Sequence, residues 1–410
     1  MIIPVILMLV TLLSSPHSAH SESQASRDSQ WVQVLSGGAG DVERMMINVM
    51  TEFQGQLYAG AYHPVTGCEI WRSADGTQWE PVVGPGAPVA SGFGTPNNEQ
   101  VTVLIPIHDS LFAGVWNTKQ GAELWRSDDG LAWQPVVGGT APVPNGFGKL
   151  DTGIIALTVF RDLLFAGTGS RTKNNAELWV SHDWGINWEP IAGERTALRL
   201  ALGSQSSYLQ DLVVFGDALY VAVGNPGQGA EIWRTQDGWN WEAVVGAPAA
   251  YAAGLGNANW DMIFAMEPFK DLLYAAVTSF RVEAPGVLWR SADGQTWEVI
   301  QPPEWMENPA QHHGFGDLVA IEDALYVSST PSGGAVPHVW MSRDGQRWAR
   351  ITDDETFRTA NAIPVLYGFR GALYAGTFSY TRGASATKSG AAIWRLQIRA
   401  GSSQSLTNPK

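Results

Sequence analysis

A short β-type signature that recurs seven times, a Trp-closed turn after six of its copies, and a last copy that stops one strand short predict an all-β chain. The architecture they predict is a seven-bladed β-propeller of four-stranded antiparallel blades, closed by the N-terminal strand. The signature reads LYAG from 57, LFAG from 111, LFAG from 164, LYVA from 219, LYAA from 273, LYVS from 325 and LYAG from 373, at intervals of 48 to 55 residues. Four residues before each copy stands an apolar side chain: Phe53, Ile107, Phe160, Phe215, Phe269, Ile321 and Phe369. A turn-like pair lies between, so each copy marks a β-hairpin.

The second signature follows downstream as EIWRSADGTQW (69–79), ELWRSDDGLAW (123–133), ELWVSHDWGINW (177–188), EIWRTQDGWNW (231–241), VLWRSADGQTW (287–297) and VWMSRDGQRW (339–348). A short Asp side chain accepts backbone N–H groups across a turn, Gly supplies positive φ, and Trp packs the hairpin onto the core. These segments resemble the Asp box, Ser-x-Asp-(x)-Gly-x-x-Trp, of sialidase-like propellers. The third copy has the longer spacing, and Thr235 replaces the Ser in the fourth. Each unit then supplies four strands, with the box turning the third into the fourth. The seventh unit reaches AAIWRLQI (391–398) without a box. Its missing strand is WVQVLSGG (31–38), which matches the post-box strands WEPVVG and WQPVVGG, and ring closure removes exposed sheet edges. The repeat accounts for Trp71, Trp125, Trp179, Trp233, Trp289, Trp340 and Trp394 in third strands, for the six box-closing Trp, and for Trp31. The high aromatic content is therefore mostly scaffold.

The 410 residues are 45% hydrophobic and 16% charged, a globular composition. A net charge of -14 argues against a nucleic-acid partner. The single cysteine, Cys68, excludes an intramolecular disulfide and falls where other repeats carry Ala122, Ala176 and Ala230, so it reads as a small buried strand residue. The apolar run at the start and the small residues Ala19 and Ser21 predict a secretory signal peptide over 1–21, and hence an extracellular or periplasmic protein not inserted in a membrane. A linker over 22–30, the propeller over 31–399 and a disordered tail over 400–410 complete the division, with a monomer expected.

Resemblance to Asp-box propellers implies that ligands bind opposite the boxes, around the central channel. Residues that break the repeat cluster in loops on that side: Asn98, Glu99, Asp151, Tyr208, Trp260, Asp261, His312, His313 and Asn361 in segments leading into blades, and Trp116 and Arg171 between second and third strands. His63, Asn117, Lys119, Lys173, Asn225, Arg281, His338 and Arg382 join them, and Trp305 falls in a further loop of that face. The GFG strings at 92–94 and 146–148 read as tight turns with a packed Phe, since no helix follows to hold a phosphate. The basic stretch 193–204 departs from the repeat and reads as a short helix, flap or solvated insertion.

Sialidases of this architecture carry an Arg-Ile-Pro motif; here the nearest string, Ala362-Ile363-Pro364, lacks the Arg. No zincin, nucleophile-elbow, Walker, Cys-x-x-Cys or twelve-residue calcium motif occurs, so neither cofactor nor metal is expected. Three functions stay open. One is recognition of a glycan or other small polar ligand at the channel mouth, with Trp116 and Trp260 as stacking platforms beside Asn98, Arg171, Tyr208, His312, His313 and Asn361. Another is a glycoside hydrolase using Glu99, Asp151 and Asp261, or a polysaccharide lyase using His312, Tyr208 and Arg171. The third is a protein-docking scaffold.

Overall fold

The computed structural model describes residues 30–150, 152–170, 176–192, 208–279, 285–300, 312–331, 335–380 and 389–398, with the backbone alone at His312 and His313. Strand β1 (Val32–Leu35) precedes a unit of β2 (Met46–Phe53), β3 (Gln56–Tyr62), β4 (Glu69–Ser73) and β5 (Glu80–Val83). The same succession recurs as β6 (Asn98–Ile107), β7 (Ser110–Asn117), β8 (Glu123–Ser127) and β9 (Gln134–Val137), then as β10 (Thr152–Phe160), β11 (Leu163–Ser170), β12 (Leu178–Ser181) and β13 (Glu189–Ala192). Next come β14 (Tyr208–Phe215), β15 (Ala218–Gly224), β16 (Glu231–Thr235) and β17 (Trp241–Val245), and β18 (Met262–Phe269), β19 (Leu272–Thr278), β20 (Val287–Ser291) and β21 (Glu298–Ile300). The sequence ends with β22 (His312–Ile321), β23 (Ala324–Pro331), β24 (Val339–Ser342) and β25 (Ala349–Arg350), and with β26 (Ala362–Phe369), β27 (Ala372–Phe378) and β28 (Ile393–Gln397). Consecutive strands within each unit pair antiparallel. β1 pairs with β28, Val32 opposite Arg395 and Leu35 opposite Ile393, so the N-terminal strand is the fourth strand of the last sheet. Among the described residues the fold is all-β, with short 3-10 turns and no α-helix.

Second strands are buried on both faces, which explains their apolar character: every residue of β7 is buried. Their small residues admit the neighbouring sheet. A Cβ on Gly114 would stand 2.6 Å from Val103 Cγ1 and 2.8 Å from Ile154 O, the backbone of the next unit. The core consequently lies between sheets. Phe53, Tyr58 and Ile70 pack with Val101, Leu104 and Leu111, and a matching cluster joins Val365, Phe369 and Ile393 of the last unit to Ile47, Leu57 and Ala59 of the first. Each such fully buried apolar side chain contributes about 1.5–3 kcal/mol.

The turns from third to fourth strands have the chemistry their residues imply. Asp75 Oδ1 accepts the N–H groups of Thr77 (2.7 Å) and Gln78 (2.8 Å), and Ser73 Oγ accepts that of Gly76 (2.8 Å). The arrangement recurs at Asp237 and Asp344, and the longer third copy reaches Asn187 N from Asp183 (2.7 Å). These bonds hold the Asp183 and Asp237 carboxyls below the ordinary range, and bring Asp293 and Asp344 down to about 2. Each turn also docks on its neighbour. A Cβ on Gly130 would stand 2.1 Å from Tyr58 Oη, and the same approach links Gly294 to Tyr220, Gly345 to Tyr274, and Gly76 to Tyr374 of the last unit. The turns at Ser91–Gly94 and Asn145–Gly148 seat Phe93 on Trp125 and Phe147 on Trp179, stacked at 4.5 and 4.3 Å. Cys68 is fully buried, which pushes its thiol pKa up.

Candidate functional site

Every first strand slips register against its hairpin partner at a matching place, between Ile47 and Val49, Val101 and Val103, Ile154 and Ala156, Leu209 and Asp211, Ile263 and Ala265, Phe315 and Leu318, and Ala362 and Val365; β6 and β22 slip a second time nearer their starts. A bulge re-aims the extra side chain. The residues within these slips include Asn48, Thr102, Ile155, Gln210, Phe264, Gly316 and Pro364, and all seven line one cavity of ≈ 790 Å³. Each lies nine residues before its LYAG-type signature. The cavity is thus shared by the first strands of all the units.

Its walls are aromatic and thioether surface from Trp116, Tyr208, Phe264, Phe315, Met46, Met50 and Met262, interspersed with uncharged polar groups from Asn48, Gln100, Thr102, Gln210, Thr278, Ser279 and Thr330. The rings of Trp116 and Tyr208 lie 6.4 Å apart, tilted by 37°. Gly153 and Gly169 leave room for this pair: a Cβ on Gly153 would stand 2.4 Å from the Trp116 ring, and one on Gly169 2.9 Å from that of Tyr208. Among the described residues the only charged side chain lining the cavity is Asp317.

Side chains of the first strands also tie neighbouring sheets together. Asn48 Nδ2 donates to Val101 O at 2.7 Å, and Thr102 Oγ1 to Ile154 O at 2.5 Å. Farther round, carboxylates accept instead. Asp211 takes the N–H of Met266 (2.6 Å), Glu267 that of Ala320 (2.9 Å), and Asp317 that of Leu366 (2.7 Å). Burial raises the pKa of Asp211 to about 6 and those of Glu267 and Asp317 to about 7, against the backbone N–H groups that favour the charged forms. The Asp211 charge adds to the rise at the other two, which places the three in one electrostatic neighbourhood.

Of the residues singled out from sequence, Trp116 and Tyr208 line this cavity. Others hold loops in place. Asn98 is fully buried and donates to Gly92 O (3.0 Å) and Glu123 Oε2 (2.7 Å), while Asn117 donates to its Oδ1. Glu99 Oε1 accepts from Thr118 Oγ1 at 2.8 Å, and Asp261 Oδ2 accepts the N–H of Gly227 at 2.8 Å. Trp260 is half-buried and packs edge-on against Trp289, ring centroids 6.3 Å apart. Asn361 is exposed, its Oδ1 accepting the N–H of Tyr380. His63 pairs with Asp41 at 3.1 Å, and His338 Nδ1 meets Thr352 Oγ1 at 3.1 Å. Asp151, Arg171, Lys173, Arg281, Trp305 and Arg382 lie outside the described residues, as do 1–29, 193–207 and the tail; His312 and His313 sit at the start of β22. No group of three or more His, Cys, Asp or Glu able to hold a metal ion occurs among the described residues.

Sequence reasoning missed Asn48, Gln210, Phe264 and the carboxylates of Asp211, Glu267 and Asp317. The signal is a fixed offset from each hairpin signature, but it lies within strands, whereas the residues that break the repeat stand out in loops.

No protein-family model matches the chain, and no curated protein matches it. Among solved structures, the WD40 β-propeller domain of Doa1 superposes with a TM-score of 0.51 at 8% identity, covering 89% of this chain and 96% of that one. The phage phi92 endosialidase superposes at 0.49 (13% identity; 93% and 71% covered) and the polysaccharide lyase Uly1 at 0.48 (8%; 86% and 90%). Identities this low speak to fold alone, and the Doa1 superposition together with the repeated four-strand units makes the chain a β-propeller.

Proposed function

We propose that this chain is an exported seven-bladed Asp-box propeller whose ring is closed by β1, and that it binds a glycan in the cavity shared by its first strands. Closure is supported by the β1–β28 pairing, the Met46–Phe378 bridge and the contact of Tyr374 with Gly76. The observation that carries the ligand reading is the cavity wall itself: the Trp116 and Tyr208 faces beside amide and hydroxyl groups, with no Arg or Lys among the described lining. Sugar rings pair apolar faces with hydroxyl edges, and such a wall offers partners for both. Neutral glycans are accordingly favoured over acidic ones, which would meet Asp317 without a compensating cation.

A glycan array read for binding, with the same glycans assayed for cleavage, tests this. Binding without product, weakened at least tenfold by joint Trp116→Ala and Tyr208→Ala substitution, is expected. Absence of binding by a folded wild type sinks the reading. One observation favours a second reading. A carboxyl raised to about 7 at a cavity wall suits a general acid, so product formation would point to a hydrolase acting through Asp317.

A further inference from the structure

In the first four units a Glu at the start of the third strand, or just before it in the case of Glu177, accepts from the indole of the Trp two residues on. The pairs are Glu69–Trp71, Glu123–Trp125, Glu177–Trp179 and Glu231–Trp233, at 2.9 to 3.1 Å. All four carboxylates are buried, with Glu231 9% exposed. A buried carboxylate is retained only where further donors or a cation compensate its lost hydration.

Three of them have that compensation inside the protein. The Arg44 guanidinium grips Glu69 with two bonds, Nε to Oε2 at 2.7 Å and Nη2 to Oε1 at 3.0 Å, while lying 4.9 Å from the Trp71 ring centroid. Glu123 receives the amides of Asn98 (2.7 Å) and Asn145 (2.8 Å). Glu177 pairs with the Lys149 ammonium at 3.1 Å. Among the described residues, Glu231 has the indole of Trp233 and no other hydrogen-bond or ion-pair partner. Where Asn145 opens its turn, the corresponding turn Ala253–Gly256 opens with Ala253, which offers no amide and lines a cavity of ≈ 440 Å³. Glu231, Asn225, Gln228 and Ala253 line it. Asn225 is 2% exposed, and its Oδ1 has no hydrogen-bond partner among the described residues. A carboxylate with one donor and a buried amide with an unpaired oxygen thus belong to residues lining one cavity, and burial pushes the Glu231 carboxyl pKa up.

We infer that this cavity is a receptor for a guanidinium group supplied from outside the chain, held by Glu231 and Asn225 as Arg44 is held by Glu69. A guanidinium matches a carboxylate with two parallel N–H bonds and keeps further donors for Asn225 Oδ1. Its source is a small guanidino compound or an arginine side chain of a peptide, both presenting the same fork.

Calorimetric titration of the full chain with propylguanidinium and with a blocked Gly-Arg-Gly peptide tests the inference. Both should bind, with the isosteric uncharged propylurea at least tenfold weaker; tighter binding of the peptide would assign the source to a protein side chain, equal binding to a small molecule. Glu231→Gln should weaken binding at least tenfold. Ala253→Asn, which rebuilds the amide that satisfies Glu123, should abolish it in a protein that melts no lower than wild type. Undiminished binding in both variants would overturn the inference. So would a wild type that binds nothing while Arg195→Ala with Arg199→Ala binds, because the chain's own guanidinium would then fill the cavity.

Discussion

Asp211, Glu267 and Asp317 join neighbouring first strands through backbone N–H groups, yet their surroundings favour the neutral form. A carboxyl whose folded pKa exceeds its unfolded value of about 4 binds its proton more tightly when folded. Its contribution to stability is greatest below pH 4 and is lost as pH rises through about 6 to 7. Glu267→Gln keeps the acceptor for Ala320 N–H and removes the charge. Relative to wild type, the variant should gain about 1–2 kcal/mol between pH 5 and pH 8. Denaturant unfolding at the two pH values measures this, and parallel pH profiles would refute it. These side chains were not legible as a group, because the fold brings together residues of three successive units, each 50 or more positions from the next. Trp116 and Tyr208 were legible, since both depart from a repeat at positions facing the same side.

The elements themselves could be read from the repeat because one hairpin signature and one turn signature specify all four strands of a unit. What the pattern did not show is how units touch. The Gly of each Ser-x-Asp-Gly turn reads as a backbone requirement, which it is at φ +73° for Gly130, but the space there is also filled by Tyr58 of the preceding unit. Gly86 has a nearly identical φ of +74° and nothing within 4 Å of a Cβ. Gly86→Ala should therefore cost about 1 kcal/mol for the backbone alone, whereas Gly130→Ala should cost about 3 kcal/mol or more by displacing the Tyr58 hydroxyl. Equal losses in denaturant midpoint at unchanged slope would show that the tyrosine contact contributes nothing.

At the scale of the whole molecule, the fold places its variable chemistry where the first strands converge. Fourteen of the 19 Trp follow the repeat and serve packing, leaving few aromatic side chains free of it, and Trp116 is one that reaches the cavity. The walls of this cavity come from every unit, so no local segment of sequence displays them together. Hydrogen exchange of the chain with and without its best-binding glycan tests the central claim most directly. The account predicts protection in 46–50, 100–104 and 208–210 and at the end of β7 around Trp116, with the turns at 73–79 and 127–133 unchanged. Protection confined to those turns, or spread over the outer strands, would contradict it.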